Sequence, residues 1–426
     1  MTIINTIIIL LVTFSSEVFC VKTFNCTSLD SPWRQFPGLC RVFEANFLVN
    51  DSVTFEPHGI DTNSEYEITF MRSKMEIIPS EVFRKIPKLV SFEAQFCQMK
   101  EISSVNASNL KKFDVSENEI TKVERETFDG TLKLEVLKLS RNQISSIHRE
   151  TFYWLPELKK VLLSENRLYA IDKFLFSRQT KLEFIDLSRN LLAHKFEMVL
   201  YFVPKLDLSL NDIVAAEIEM TVHDIGELVS GCSTEISMQK NQLTDFKVIG
   251  EAVVDSLDLS WNNFRSMERI QLEKPARVTS LDLSSNPFSL ISGQDLNRYP
   301  HLETLNLRNT SLIFGANNIF SQLSRLKSLD LAKNHLASID MRFFEHLTQL
   351  TELVLDRNNL TELNTQEMTV KRSELLKISL FENNFSCEEV KRIVRKLIRI
   401  NAEVKQRHEW ELRRFPTTFQ GVECSN

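Results

Sequence analysis

Leucines set the rhythm of this chain. In "LEVLKLSRNQI" at 134 to 144, "LKSLDLAKNHL" at 326 to 336 and "LTELVLDRNNL" at 350 to 360, apolar residues hold the first, fourth, sixth and eleventh positions. The fourth and sixth alternate as in a strand, so both side chains point into a core while the fifth and seventh point out. An Asn holds the ninth position, where its amide can bond backbone groups that a sheet ladder no longer satisfies as the chain turns away. The ninth-slot residues are Ser73, Cys97, Asn118, Asn142, Asn166, Asn190, Asn211, Asn241, Asn262, Asn286, Thr310, Asn334, Asn358 and Asn383. Most successive slots stand 24 residues apart, with shorter steps of 21 and one longer step of 30. The pattern predicts one short strand per copy, and stacked copies make a parallel sheet at about 4.8 Å per strand.

The variable half of each copy has its own echo, in "FRKIPKL" at 83, "FYWLPEL" at 152, "FSQLSRL" at 320 and "FEHLTQL" at 344. A Phe recurs at a fixed offset before the next strand, which predicts a core-filling spine behind the sheet rather than an aromatic ligand box.

This frame resembles the leucine-rich repeat family over roughly residues 64 to 386, in about fourteen copies. The resemblance implies an α/β solenoid, a leucine-rich repeat horseshoe with a parallel concave β-sheet and disulfide-capped ends. Residues 21–63 then form an N-terminal cap and 387–426 a C-terminal cap, since a solenoid exposes its core at both ends unless something covers it.

The chain starts "MTIINTIIILLVTFSSEVFC", with an apolar run of about 12 residues, the length of a signal-peptide core rather than of a membrane span. Residues 1–20 are expected to be a removed signal peptide, leaving Val21 as the mature start. No later stretch reads as a transmembrane anchor, so a secreted, extracellular glycoprotein is expected. Six sequons accompany that reading, at Asn25, Asn50, Asn106, Asn309, Asn359 and Asn384. Without Cys20, six cysteines remain for an oxidising compartment.

The caps of extracellular leucine-rich repeat proteins imply local disulfides Cys26–Cys40 and Cys387–Cys424, each such loop stabilising its cap by about 3 kcal/mol. Cys97 and Cys232 lie about six copies apart, roughly 29 Å at sheet spacing, beyond the reach of about 7 Å that a disulfide allows. Cys97 fills the ninth slot and reads as structural. Cys232, inside the one 30-residue copy, is either a buried free thiol or an intermolecular bridge that would make a dimer.

A net charge of -6 gives no overall basic field for nucleic acid. Neither G-x-S-x-G, H-E-x-x-H, a P-loop nor C-x-x-C occurs, so no enzyme, metal or cofactor is expected. The basic run Lys391, Arg392, Arg395, Lys396 and Arg399 is interleaved with Val390, Ile393, Val394, Leu397 and Ile398, which predicts a capping helix with a solvated face.

Binding is expected on the concave face. The fifth slots there are rich in aspartate, an ordinary feature of the "LDLS" frame. Less ordinary are the apolar Val136, Leu162, Phe184, Leu210 and Trp261, expected to face outward, because exposed apolar clusters and aromatic anchors mark partner sites. A glycan at Asn309 would stand on or beside the rim and shift that site toward residues 136 to 261. The sequence is similar to secreted insect leucine-rich repeat proteins, coil-less relatives of the leucine-rich immune group, some of which form disulfide-linked complexes and bind complement-like thioester proteins. That resemblance implies an innate-immune or pattern-recognition binder of an extracellular protein partner or microbial surface ligand. The alternative is an extracellular adhesion or developmental ligand-binding protein.

Overall fold

The computed structural model describes residues 7–13, 19–25, 39–43, 46–47, 52–57, 65–71, 73–78, 81–221, 233–251, 253–312, 318–364, 376–399, 401–405, 418–419 and 422–425. Side chains are described from residue 65 onward, except those of Met71, Glu81 and Lys85. Cys26, Asn50 and Cys232 lie outside the described residues, as do the side chains of Asn25 and Cys40.

The chain forms two compact units: Met1–Asp212 with Ile218–Val229, and Ile213–Glu217 with Ser230–Asn426. In the first, parallel strands run in chain order from Leu39–Phe43 through Tyr66–Met71, Leu89–Glu93, Lys112–Asp114, Val136–Lys138, Lys160–Leu162 and Phe184–Asp186 to Lys205–Asp207. The backbone of Ile7–Thr13, inside the expected leader, pairs antiparallel with Phe19–Asn25 and Ser52–Pro57. In the second unit the parallel strands run from Thr234–Ser237 through Val254–Asp258, Ser280–Asp282, Thr304–Asn306, Ser328–Asp330, Glu352–Val354 and Leu376–Ser379 to Ala402–Val404. The sheet of the first unit therefore takes in Leu39–Phe43 and that of the second Ala402–Val404, strands that lie in the stretches expected to be caps.

The strands are short because only the third to fifth slots of each copy pair in the sheet. Leu137, Leu139, Leu329, Leu331, Leu353 and Leu355 are all fully buried. Each such leucine stabilises the fold by about 1.5–3 kcal/mol relative to exposure. Behind the sheet the expected Phe spine forms: Phe92 stacks on Phe113 at 5.5 Å, Phe152 on Phe176 at 5.5 Å, and Phe320 on Phe344 at 5.9 Å.

The ninth-slot asparagines do what their position predicts, and each serves two copies at once. Asn142 accepts the Ile120 N–H with Oδ1 at 3.1 Å and donates Nδ2 to its own Leu139 carbonyl and to Val115 of the preceding copy, both at 3.0 Å. Asn262 accepts from Leu243 and donates to Leu259 and Met238 in the same manner. Where the slot holds Cys97, Asn118 of the next copy takes over and accepts the Cys97 and Met99 N–H groups. Cys97 itself is a buried free thiol whose Sγ lies 3.3 Å from the Gln95 carbonyl, and burial pushes its pKa up to about 11. It is inert by that measure, in line with its structural reading.

After Leu376–Ser379 the chain enters a helix, Cys387–Arg399, that buries Val390, Ile393, Val394 and Leu397, while Ile398 is 68% exposed. Ile398 lies at the edge of the apolar stripe, on the side away from Ile393, and its side chain faces solvent. Ser386 Oγ accepts the Glu389 N–H at the start of the helix, and the disulfide Cys387–Cys424 ties it to the chain end.

Candidate partner-binding surface

The solvent face of each sheet carries three columns of side chains, from the third, fifth and eighth slots. The fifth-slot carboxylates are engaged with the backbone: Asp186, Asp207, Asp258, Asp282 and Asp330 each accept the N–H two residues on, at 2.8–3.0 Å. These turns explain the aspartates structurally. Asp114 goes further and is buried beneath Lys138 at 3.2 Å and Gln95 Nε2 at 2.8 Å. Burial raises the Asp330 pKa, opposed by the Ala332 N–H and by Arg308.

Strand register places three of the expected apolar residues near one another in the first unit. Val136 and Phe184 occupy the third-slot column on either side of Lys160, and Leu162 stands in the fifth-slot column of the strand between them. All three are half-buried rather than fully outward. Lys205 Nζ lies 5.8 Å from the Phe184 ring centroid, a cation–π contact that covers part of the phenyl face.

Leu210 and Trp261 belong to the eighth-slot column, and the backbone there is the surprise. Glu117, Arg141, Glu165, Arg189 and Leu210 in the first unit all have φ between 54° and 58°. So do Lys240, Trp261, Ser285, Asn309, Lys333, Arg357 and Glu382 in the second. This left-handed turn costs an L-residue about 1–2 kcal/mol relative to the right-handed region. Backbone bonds to the next copy hold it in place: Arg141 donates to Ser164 and Trp261 to Ser284, both at 2.8 Å. The turn lifts the eighth side chain away from the core. Charged residues there link up, as Arg141 does with both Glu117 and Glu165, whereas Trp261 is 58% exposed.

Phe96 is the residue that sequence reading missed. It precedes Cys97 in the ninth slot, has φ 54° and is 66% exposed, so it occupies the same column at the start of the first unit. Its signal was present in the frame, but the Cys in place of Asn hid it.

Asn309 shares the column as well, exposed and donating Nδ2 to Ser285 Oγ at 3.2 Å. The sequon residues Asn106, Asn359 and Asn384 are also exposed.

The asparagine ladder, the buried leucines and the one-strand copies agree with a sequence match: the Leucine rich repeat family matches residues 108–168, 300–360 and 324–385. Each unit is a leucine-rich repeat solenoid. Among solved structures, a chain of the LRIM1/APL1C complex is 22% identical with a TM-score of 0.66, covering 90% of this chain and 69% of that one. The leucine-rich repeat domain of APL1 is 22% identical with a TM-score of 0.65, covering 90% and 97%. Toll, in the Toll–Spatzle complex described as a hub in Drosophila development and innate immunity, is 18% identical with a TM-score of 0.54, covering 81% and 52%. At these identities the likeness is one of fold. No curated protein matches the chain by sequence. Among the described residues no group of His, Cys, Asp and Glu is arranged to hold a metal, and no helix is long and apolar enough to cross a membrane.

Proposed function

We propose that this leucine-rich repeat protein is a secreted recognition protein of innate immunity, exported by removal of residues 1–20 and glycosylated at its sequons. It binds an extracellular protein partner or a microbial surface ligand through the solvent face of its sheet. The observation that carries the reading is Trp261, an indole lifted off the sheet by a left-handed turn, with no polar partner among the described residues. Desolvating such a ring is the kind of term that dominates binding hot spots. In the other unit the triangle of Val136, Leu162 and Phe184, with Leu210 and Phe96 in the eighth-slot column, offers further apolar contact. Support for the immune assignment comes from the likeness to a chain of the LRIM1/APL1C complex and to Toll in its complex with Spatzle. The second reading, an adhesion or developmental ligand-binding protein, draws on the same Toll structure, which concerns development as well as immunity.

Capture of partners from extracellular fluid with the intact protein and with Trp261→Ala tests the surface. Recovery is expected to fall with the variant; equal recovery removes Trp261 from the site. Rising secretion on infection favours the immune role, while constitutive deposition in matrix favours adhesion. A dimer band that disappears from a non-reducing gel with Cys232→Ser identifies an intermolecular bridge.

A further inference from the structure

Gln179 stands where the other Phe-led loops place a buried aliphatic residue. In "FRKI", "FYWL", "FSQL" and "FEHL" the fourth residue is Ile86, Leu155, Leu323 or Leu347, each at most 1% exposed; in "FSRQ" it is Gln179, also 1% exposed. Thr131 in "FDGT" is polar too, but its hydroxyl donates to its own Phe128 carbonyl. Gln179 is only half satisfied. Its Nε2 donates to the Phe152 carbonyl at 2.6 Å, while its Oε1 has no donor. A buried acceptor left unpaired costs free energy that leucine in the same slot would avoid.

The side chain lines a cleft of about 260 Å³ between two successive loops of the first unit. Tyr153 and Phe174 supply its apolar walls, and Arg149 and Arg178 its positive charge. The Arg178 guanidinium lies 4.0 Å over the Tyr153 ring, which presets its plane, and no carboxylate pairs with it among the described residues. The carboxylates of the cleft are already engaged. Glu150 pairs with Arg125 at 2.9 Å and with Arg149 at 3.5 Å, and Asp172 accepts the Phe174 N–H at 2.9 Å.

We propose that this cleft binds an acidic sugar, separately from any partner on the sheet face. The anionic group meets the unpaired guanidinium of Arg178, whose planar fork matches carboxylate or phosphate oxygens. A ring hydroxyl donates to Gln179 Oε1, and the C–H face of the ring packs on Phe174, which is 53% exposed. The volume lies below the roughly 300–1,000 Å³ of pockets for drug-sized ligands, which limits the occupant to about one sugar ring.

Titration of the full-length protein with glucuronate, glucose 6-phosphate and glucose, followed by saturation-transfer NMR and calorimetry, tests this. Saturable binding of an anionic sugar and none of glucose is expected, and the tighter of the two anions identifies the charged group. Gln179→Leu is expected to fold with an unchanged or higher Tm, since leucine is the usual residue of its slot, and to weaken binding by about tenfold or more. Arg178→Gln is expected to weaken it similarly. Absence of saturation by either anion, equal binding of glucose, or unchanged affinity in either variant overturns the proposal; the last result for Gln179 leaves its free oxygen to a buried water.

Discussion

The backbone N–H of Trp261 donates to the Ser284 carbonyl at 2.8 Å while its own φ is +56°. The turn is thus held by main-chain bonding to the next copy and by Asn262, not by the indole. Ser285, Asn309 and Lys333 adopt the same conformation with unrelated side chains, so residue 261 is free to be chosen for what it touches.

Trp261→Gly separates the two roles. Relief of the left-handed strain, about 1–2 kcal/mol, is offset by the backbone entropy of glycine, roughly 0.5–1 kcal/mol. Stability in urea is expected to stay within about 1 kcal/mol of the parent, while partner capture drops as with Trp261→Ala. A large loss of stability would instead make the indole a structural group.

Asn262→Ala acts in the opposite sense. It strands the buried Leu243 N–H, while the Leu259 and Met238 carbonyls lose the Asn262 donor but keep those of Asn286 and Asn241. One buried unpaired donor costs about 1–3 kcal/mol, so a destabilisation of about 1–3 kcal/mol is expected from urea unfolding.

Asp330→Asn tests the fifth-slot turns through pH. Burial raises the Asp330 pKa, so the folded state holds the proton more tightly than the unfolded chain. Its charged form therefore opposes folding at neutral pH, and the opposition fades as pH falls through the folded pKa toward the unfolded carboxylate value near 4. Asparagine keeps the turn, because Asn306 in the preceding copy accepts the Arg308 N–H at 3.0 Å just as Asp330 accepts that of Ala332. The variant is expected to melt higher than the parent at pH 7, with the difference shrinking toward pH 4. A variant that melts lower at pH 7 would make the 3.8 Å pairing with Arg308 the dominant contribution.

The Cys387–Cys424 link closes a loop of sequence separation 37. Replacing both cysteines with serine is expected to cost about 4 kcal/mol by the chain-entropy relation. Because the helix Cys387–Arg399 covers the last described strands of its unit, hydrogen exchange is expected to rise first around Leu376–Ser379. Uniform exchange across the second unit would mean that the cap and its copies unfold as one.

The repeat frame made the parallel strands, the buried leucines, the Phe spine and the asparagine bonds legible in advance. Each follows from residues that act within one copy or between adjacent copies at fixed spacing. The Cys387–Cys424 pairing was legible only through family resemblance. Less legible was the apolar surface, since Val136, Leu162, Phe184, Leu210 and Trp261 fall in three different slots. Strand register shows how close Val136, Leu162 and Phe184 stand on their neighbouring strands, and the shared left-handed backbone puts Leu210 and Phe96 in one column.

By itself, then, the sequence determined the period, the core and the polar bonds that repeat with it, because identical residues at identical spacing meet identical neighbours. Tertiary structure decided which exceptions count. The left-handed eighth slot exposes Trp261 and Phe96, and the packing of successive loops buries Gln179 with an oxygen unclaimed. Exposure and satisfaction depend on what the next copy places opposite a residue, and no single copy of the frame contains that information.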